Sequence, residues 1–235
     1  MNYEAKEQKL DRRTEMKQKY VILFAVILFC NGLTGLQAQG VKDIDGNVYK
    51  TVTIGKQVWM AENLKTTIYN DGTAIPLVAD DKAWAALTTP ALCWYNNDET
   101  ANKNKYGALY NWYTVSINKL CPKGWHVPTD IEWTTLITYL GGKNDAGGKL
   151  KETSTIHWKS PNTGATNESG FTALPSGSRA ANGSFHFVGE GVTYWSSTEY
   201  DASNAWFRSM TYNFGNVTIF YGRKQVGWYV RCLQD

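Results

Sequence analysis

The chain begins with a change of pattern. Residues 1–20 are polar and mixed in charge, and Val21-Ile22-Leu23-Phe24-Ala25-Val26-Ile27-Leu28-Phe29 is then unbroken apolar sequence, preceded by Lys17 and Lys19. From residue 40 onward no such run recurs, and short segments alternate apolar with polar positions. Val48–Ile54 and Gln57–Met60, separated by Gly55-Lys56 and preceded by the turn Asp45-Gly46-Asn47, read as strands joined by hairpin turns. Residues 61–92 are less regular, with Asp71-Gly72 marking a turn.

Helical spacing appears in the middle of the chain. Leu109, Tyr110, Trp112, Tyr113 and Val115 suggest a helix over Tyr106–Ile117. Pro128-Thr129-Asp130-Ile131-Glu132 carries a capping box, in which Thr129 caps the amide of Glu132 and Glu132 reaches back. The helix it starts has Ile131, Leu136, Ile137 and Leu140 as its apolar face, with Trp133 beside it, and ends at Gly141-Gly142. A short third helix is placed around Ala146–Glu152. After Phe171 the pattern returns to strands: Ser178-Arg179 and Phe185–Phe187 about an Asn182-Gly183 turn, then Thr193–Ser197, Ala205–Tyr212, Val217–Tyr221 and Trp228–Leu233. Helices in the middle and a strand-rich C-terminal half predict an α+β fold.

The apolar run sets the compartment. A basic start, a short apolar core and a small residue before Gln39 are the parts of a secretory signal, with cleavage after Ala38. The run is about half the ~20 residues a membrane-spanning helix requires. Met16 begins a signal of ordinary length, so translation is expected to start there. Cys30 offers lipidation as a minor alternative, against which stands the bulky Phe29. Residues 39–235 then form one domain, large enough for a sizeable core.

Of 24 basic and 21 acidic residues, six and four lie in the first 38, leaving 18 and 17 in the domain with no block of like charge. A nucleic-acid partner requires a basic face, so none is expected, nor is binding to anionic lipid. No membrane association is expected beyond the export signal. In an oxidising compartment the domain's cysteines, Cys93, Cys121 and Cys232, allow at most one internal bridge, and the sequence leaves the pairing open.

A family likeness lies in an ordered series of motifs. These are Val41–Tyr49, Trp59-Met60-Ala61-Glu62-Asn63-Leu64, Tyr106–Trp112, Cys121-Pro122-Lys123-Gly124-Trp125-His126-Val127-Pro128-Thr129-Asp130-Ile131-Glu132-Trp133, Tyr194–Thr198 and Val230-Arg231-Cys232. Over residues 41–235 the chain resembles the Fibrobacter succinogenes major paralogous domain, found in exported bacterial proteins with no general assigned activity. Val127–Trp133 and Gly227–Cys232 are also similar to motifs of the C-type-lectin-like and formylglycine-generating-enzyme folds. That likeness implies two or three helices with a twisted, mostly antiparallel sheet of short strands. It also implies that the first and last core strands lie side by side, bringing Cys121 to Cys232 as a disulfide and leaving Cys93 a buried thiol.

Little in the chain points to catalysis. His126, His157 and His186 lack ligand spacing, so no transition-metal site is expected. Asp43-x-Asp45-Gly46 opens like a calcium loop but lacks the later ligands and reads as a plain turn. No cofactor is expected, with calcium on loop carboxylates such as Glu199 and Asp201 the one exception left open. The Glu-Pro-Asn and Trp-Asn-Asp patterns of lectin sugar sites are absent from the sequence. Ser196-Ser197 sits in no nucleophile elbow. With Cys232 alone near the C-terminal region, the reactive cysteine pair of the formylglycine-generating enzymes is missing, and the fold likeness does not transfer their oxidase activity.

What remains is a recognition face dense in aromatic and Asn side chains: Trp195, Glu199, Tyr200, Asn204, Trp206, Arg208, Tyr212, Asn213, Asn216, Tyr221 and Arg223. Alternation places Trp206, Arg208, Met210 and Tyr212 on one face of a strand and Phe207, Ser209 and Thr211 on the other, without saying which is core. The expectation is a secreted or outer-cell-surface binding module, not an enzyme, whose partner is a protein or glycan. A structural envelope component is the alternative, and an enzyme of the formylglycine-generating type comes third.

Overall fold

The computed structural model describes residues 40–235; the expected export signal, the expected start at Met16 and Cys30 lie outside the described residues. The hairpin signals near the start each produce paired strands. Asp45-Gly46 turns β1 (Val41–Lys42) onto β2 (Val48–Tyr49), and Gly55-Lys56 turns β3 (Thr51–Ile54) onto β4 (Gln57–Met60). Asp43 and Asp45 are the donors' targets in this region: Asp43 accepts from Asn47 and Tyr49, and Asp45 from Thr66 and Thr67. The Asp-x-Asp-Gly series forms a turn, closed by Gly46 N–H onto the carbonyl of Asp43.

The irregular stretch that follows holds elements the pattern did not reveal. Helix α1 (Asp81–Ala85) is capped by Asp80, β5 (Leu92–Cys93) follows, and helix α2 (Glu99–Tyr106) is capped by Asp98. The helix expected over Tyr106–Ile117 is broken. Gly107 ends α2 at φ +80°, β6 (Leu109–Tyr110) pairs with β5, and only Trp112–Val115 (α3) is helical, capped by Asn111. The backbone of Tyr110 bonds to Trp228 in both directions, so tertiary pairing overrides the local helical spacing.

The capping-box helix forms as predicted. After β7 (Trp125–His126), helix α4 (Asp130–Tyr139) starts with both reciprocal bonds of the box between Thr129 and Glu132. Its buried side is the one expected except at Ile131. Trp133, Leu136 and Ile137 face inward, and Ile131 is 78% exposed. Gly141 and Gly142 adopt φ +99° and +94°, and Gly142 closes back onto Ile137. The short helix α5 (Ala146–Leu150) carries Gly147 and Gly148 against neighbouring backbone, where an added Cβ would lie 2.1 Å from the carbonyls of Asn216 and Gly164.

Two sheets organise the rest. β8 (Ser176–Arg179), β9 (Phe185–Val188), β10 (Gly191–Glu199), β11 (Asn204–Thr211) and β12 (Thr218–Arg223) form a five-stranded sheet in the order β12-β11-β10-β8-β9, antiparallel except at β10–β8. The second sheet has the order β3-β4-β13-β7, where β13 is Leu233–Gln234. The strand expected over Trp228–Leu233 is mostly not one. Instead that segment bonds alternately to both sheets, through Tyr229 to Thr193 and Trp195, Val230 to Leu64, Cys232 to Met60 and Leu233 to Trp59 and His126. Successive residues divide between two cores: Tyr194 and Tyr229 enter one with Trp59, Trp133 and Phe171, and Trp195 and Val230 the other with Tyr110 and Trp112. The molecule is mixed α+β and strand-rich.

Cys121 and Cys232 are joined as a disulfide, and Cys93 is a buried free thiol pushed up to about 12 by burial. The bridge closes a loop spanning 111 positions, for which the chain-entropy model gives about 4–5 kcal/mol as an upper figure. Paired Cys121→Ala/Cys232→Ala substitution is expected to lower unfolding free energy by up to that amount in urea titrations. Cys93 is expected to react with a thiol reagent only after unfolding; rapid labelling of the native protein would contradict its burial.

His126 links three parts of the fold. Its Nδ1 lies 2.6 Å from Asp235 Oδ1 and its Nε2 2.9 Å from Glu132 Oε1 of the capping box. Burial lowers its basicity, but the hydrogen bonds and charges of Asp235 and Glu132 outweigh burial and raise its pKa above the usual 6.5. The folded state therefore holds the proton more tightly than the unfolded chain. This stabilisation is fully present below about pH 6.5 and lost as pH rises through the folded value. Urea titrations of the wild type and His126→Gln should differ more near about pH 5.5, where Glu132 is still ionised, than above the folded pKa of His126. A difference independent of pH would remove the charge from the explanation.

Candidate functional site

Alternation in β11 resolves into one core face and one open face. Arg208 and Met210 are buried on the core side, whereas Phe207, Ser209 and Thr211 line a cleft of about 710 Å³. Its floor is the sheet itself. Thr193 donates to Ser209 Oγ at 3.1 Å, and Ser209 donates to the carbonyl of Val192 at 3.1 Å. At one end Phe207 packs edge-on to Trp228, with ring centroids 4.5 Å apart, and Trp228 covers Trp195 at 4.1 Å. The β8–β9 hairpin makes one wall with His186 and Phe187, and the turn after β11 makes the other with Tyr212, Asn213 and Phe214.

Two aromatic rings stand at the rim. Phe187 is 63% exposed and Phe214 57%. Phe187 also has φ +66°, a left-handed conformation costly for a bulky residue. The opposite wall is fixed from beneath by Lys151, a fully buried residue of the α5 end. Its Nζ donates to the carbonyls of Thr163, Thr211 and Phe214 at 2.8–3.0 Å and sits 5.3 Å over the Trp158 ring. With no carboxylate beside it, burial pushes its pKa down to about 8.

The predicted recognition residues divide into several groups. Tyr212 and Asn213 line the cleft. Asn204 and Arg223 line an adjoining depression of about 670 Å³ with Asn182, Ser203 and Gln225, and Ala181 belongs to both. Tyr221 stacks on Tyr200 at 3.8 Å with Trp206 edge-on, forming a separate aromatic cluster. Asn216 is exposed in the turn seated on Gly147. Two residues are removed from any surface. Trp195 is 0% exposed and donates to the carbonyl of Tyr110, and Arg208, also 0%, holds Asp130 Oδ1 at 2.6 Å at the start of α4. Both belong to the core and not to a recognition face; for Arg208, alternation along β11 cannot distinguish a covered face from an open one.

The calcium candidates are engaged within the protein. Glu199 pairs with the buried Lys224 at 3.1 Å, and Asp201 accepts from the amides of Ser203 and Asn204 and from the Asn204 side chain. The loop contacts hold the Asp201 carboxyl below its usual value. Among the described residues no group of three or more His, Cys, Asp or Glu is placed to hold a metal ion. Among the described residues the Ser–His contact beside the cleft, Ser184 Oγ to His186 Nε2 at 2.7 Å, is exposed. Cys232 and Cys121 are buried in their disulfide.

Sequence reasoning missed Phe187, Phe214, Thr193 and Trp228 as site residues. The Asn182-Gly183 turn signalled the β8–β9 hairpin, but nothing in the sequence marks Phe187 as left-handed. No curated protein and no solved structure matches the chain. The family described as the Fibrobacter succinogenes major domain matches residues 52–234. A match of that length, running from β3 through the core to β13, makes this chain a member of the Fibrobacter succinogenes major domain family.

Proposed function

We propose that the protein is an exported, non-enzymatic recognition domain of C-type-lectin-like fold that binds a surface protein or glycan in the cleft over the five-stranded sheet. The observation that carries this reading is the exposed Phe187–Phe214 rim on a fixed scaffold. Phe187 is held in a costly conformation and Phe214 sits on a turn tied down by Lys151. Strain in an exposed aromatic side chain at a cleft points to use rather than packing. Rigid aromatics above a floor of hydroxyls supply apolar contact and hydrogen bonding at small ordering cost.

The lectin-like assignment draws support from β13 lying between β4 and β7, so that early and late strands are neighbours. Export draws support from the Cys121–Cys232 bridge, since such staples belong to oxidising compartments. The same bridge counts against chemistry of the formylglycine-generating type, because Cys232 is not a free thiol. With Glu199 and Asp201 occupied, binding without a cofactor is the simpler reading.

Glycan and surface-protein arrays probed with the protein are expected to return a ligand that is recovered chemically unchanged. Phe187→Asn and Phe214→Ser should each weaken it about tenfold or more, the size of one lost aromatic contact at a binding hot spot. Asn tolerates the left-handed region, so Phe187→Asn should leave unfolding free energy unchanged or raise it by about 1 kcal/mol. Ile131→Ser, on the exposed side of α4, should change neither. A ligand indifferent to both rim variants would exclude the cleft. No ligand at all, with stable incorporation into an envelope fraction, would favour a structural role.

A further inference from the structure

A second cavity, of about 170 Å³, shares no lining residue with the cleft. It is enclosed by the Ala61–Lys65 segment, the end of α2, and Thr172 and Leu174. Its charged lining is Lys65, Lys103, Lys105, Arg231 and a single carboxylate, Glu62. Lys103 is neutralised by Glu99 at 2.7 Å. Lys65 donates only to Asn104 Oδ1 at 3.3 Å, and Lys105 lies 4.7 Å over the Tyr106 ring. Among the described residues neither has a carboxylate within 4.0 Å.

Arg231 is the unusual member. It is 1% exposed and has no carboxylate partner. A guanidinium has five N–H donors. Four are used: Nε to Asn63 Oδ1 at 2.7 Å, Nη1 to the carbonyls of Met60 and Phe171, and Nη2 to the carbonyl of Thr172 at 3.1 Å. The guanidinium also borders the cavity, so its charge faces whatever the cavity holds. With Lys103 set against Glu99, the cavity has three positive groups to one negative, a surplus that a dianion would neutralise.

We propose that this cavity binds a tetrahedral oxyanion, sulfate or phosphate, free or as the monoester terminus of a larger ligand. The cations of Lys65, Lys105 and Arg231 come from three separate segments, which suits an anion with oxygens on several sides. A buried guanidinium with no carboxylate hydrogen-bonded to it gains from an anion that is itself withdrawn from water.

Calorimetric titration of the full chain tests the site, using inorganic phosphate, inorganic sulfate, glucose 6-phosphate and glucose 6-sulfate, each against chloride at equal ionic strength. One saturable site of about millimolar affinity or tighter is expected for the oxyanions and none for chloride. Lys65→Gln/Lys105→Gln should weaken it about tenfold or more without shifting Tm in chloride; Arg231 is left intact because its removal endangers the fold. Esters that bind more tightly than the inorganic ions identify the group as part of a larger ligand, and the reverse identifies the free anion. Heats that never saturate, or equal affinity in the double variant, would overturn the proposal, because general salting effects act alike on both proteins.

Discussion

The side chain of Arg231 lies where the two sheets and the long loop between them meet. It takes a permanent charge into the aromatic core, 4.4 Å over Phe171 and 5.6 Å from Tyr194, and spends its hydrogen bonds on Asn63, Met60, Phe171 and Thr172. Hydrogen bonds to a charged group contribute roughly 1.5–3 kcal/mol each, and burying the charge costs several. The net gain is therefore modest, but the geometry is strongly fixed. Its neighbour Cys232 adds a covalent tie to Cys121, and Tyr229 and Leu233 bond to opposite sheets. Loss of this segment would separate the sheets and with them the walls of both cavities.

The same device recurs wherever regular structure is lacking. Residues 151–175 run between α5 and β8 without a regular strand or helix, and so do most of residues 61–91. Buried carbonyls in such segments have no ladder to pair with and need donors from elsewhere. Lys151 supplies Thr163, Thr211 and Phe214; Arg179 supplies Val78, Ala79 and Gly183; Arg231 supplies Phe171 and Thr172. Arg179 also stacks 4.5 Å over Trp84 and Arg231 over Phe171, so tryptophan and phenylalanine stabilise the cations that the loops require. The aromatic richness of the chain and its loop-rich architecture are thus one physical fact.

Local signals were legible in the sequence where they were local in cause. The Gly55-Lys56 and Asn182-Gly183 hairpins, the Thr129–Glu132 box and the Gly141-Gly142 stop all formed, because turn and cap chemistry is complete within a few residues. The Cys121–Cys232 bridge came from the family likeness and not from spacing. Tyr106–Ile117 failed because its helical spacing competes with pairing to Trp228, more than a hundred residues away. The site was half legible for a related reason. Composition located the aromatic and Asn-rich region and found Tyr212 and Asn213, but burial of Trp195 and Arg208 depends on Trp228 and α4, which alternation along one strand cannot register.

This dependence explains why the open face of the sheet is shaped as it is. The C-terminal segment covers Trp195 with Trp228 at one end of the five-stranded sheet and leaves Thr193, Ser209 and Thr211 uncovered toward the other. An uncovered sheet face of this kind would ordinarily be closed by a further apolar layer. Here the hydroxyls satisfy one another, with Thr193 bonded to Ser209 and Ser209 to Val192, so the face tolerates water. The apolar groups are displaced to the rim as Phe187, on β9, and Phe214, on the turn after β11, held independently by the β8–β9 pairing and by Lys151. A wet, hydrogen-bonded floor between two fixed aromatic edges costs the fold little when empty.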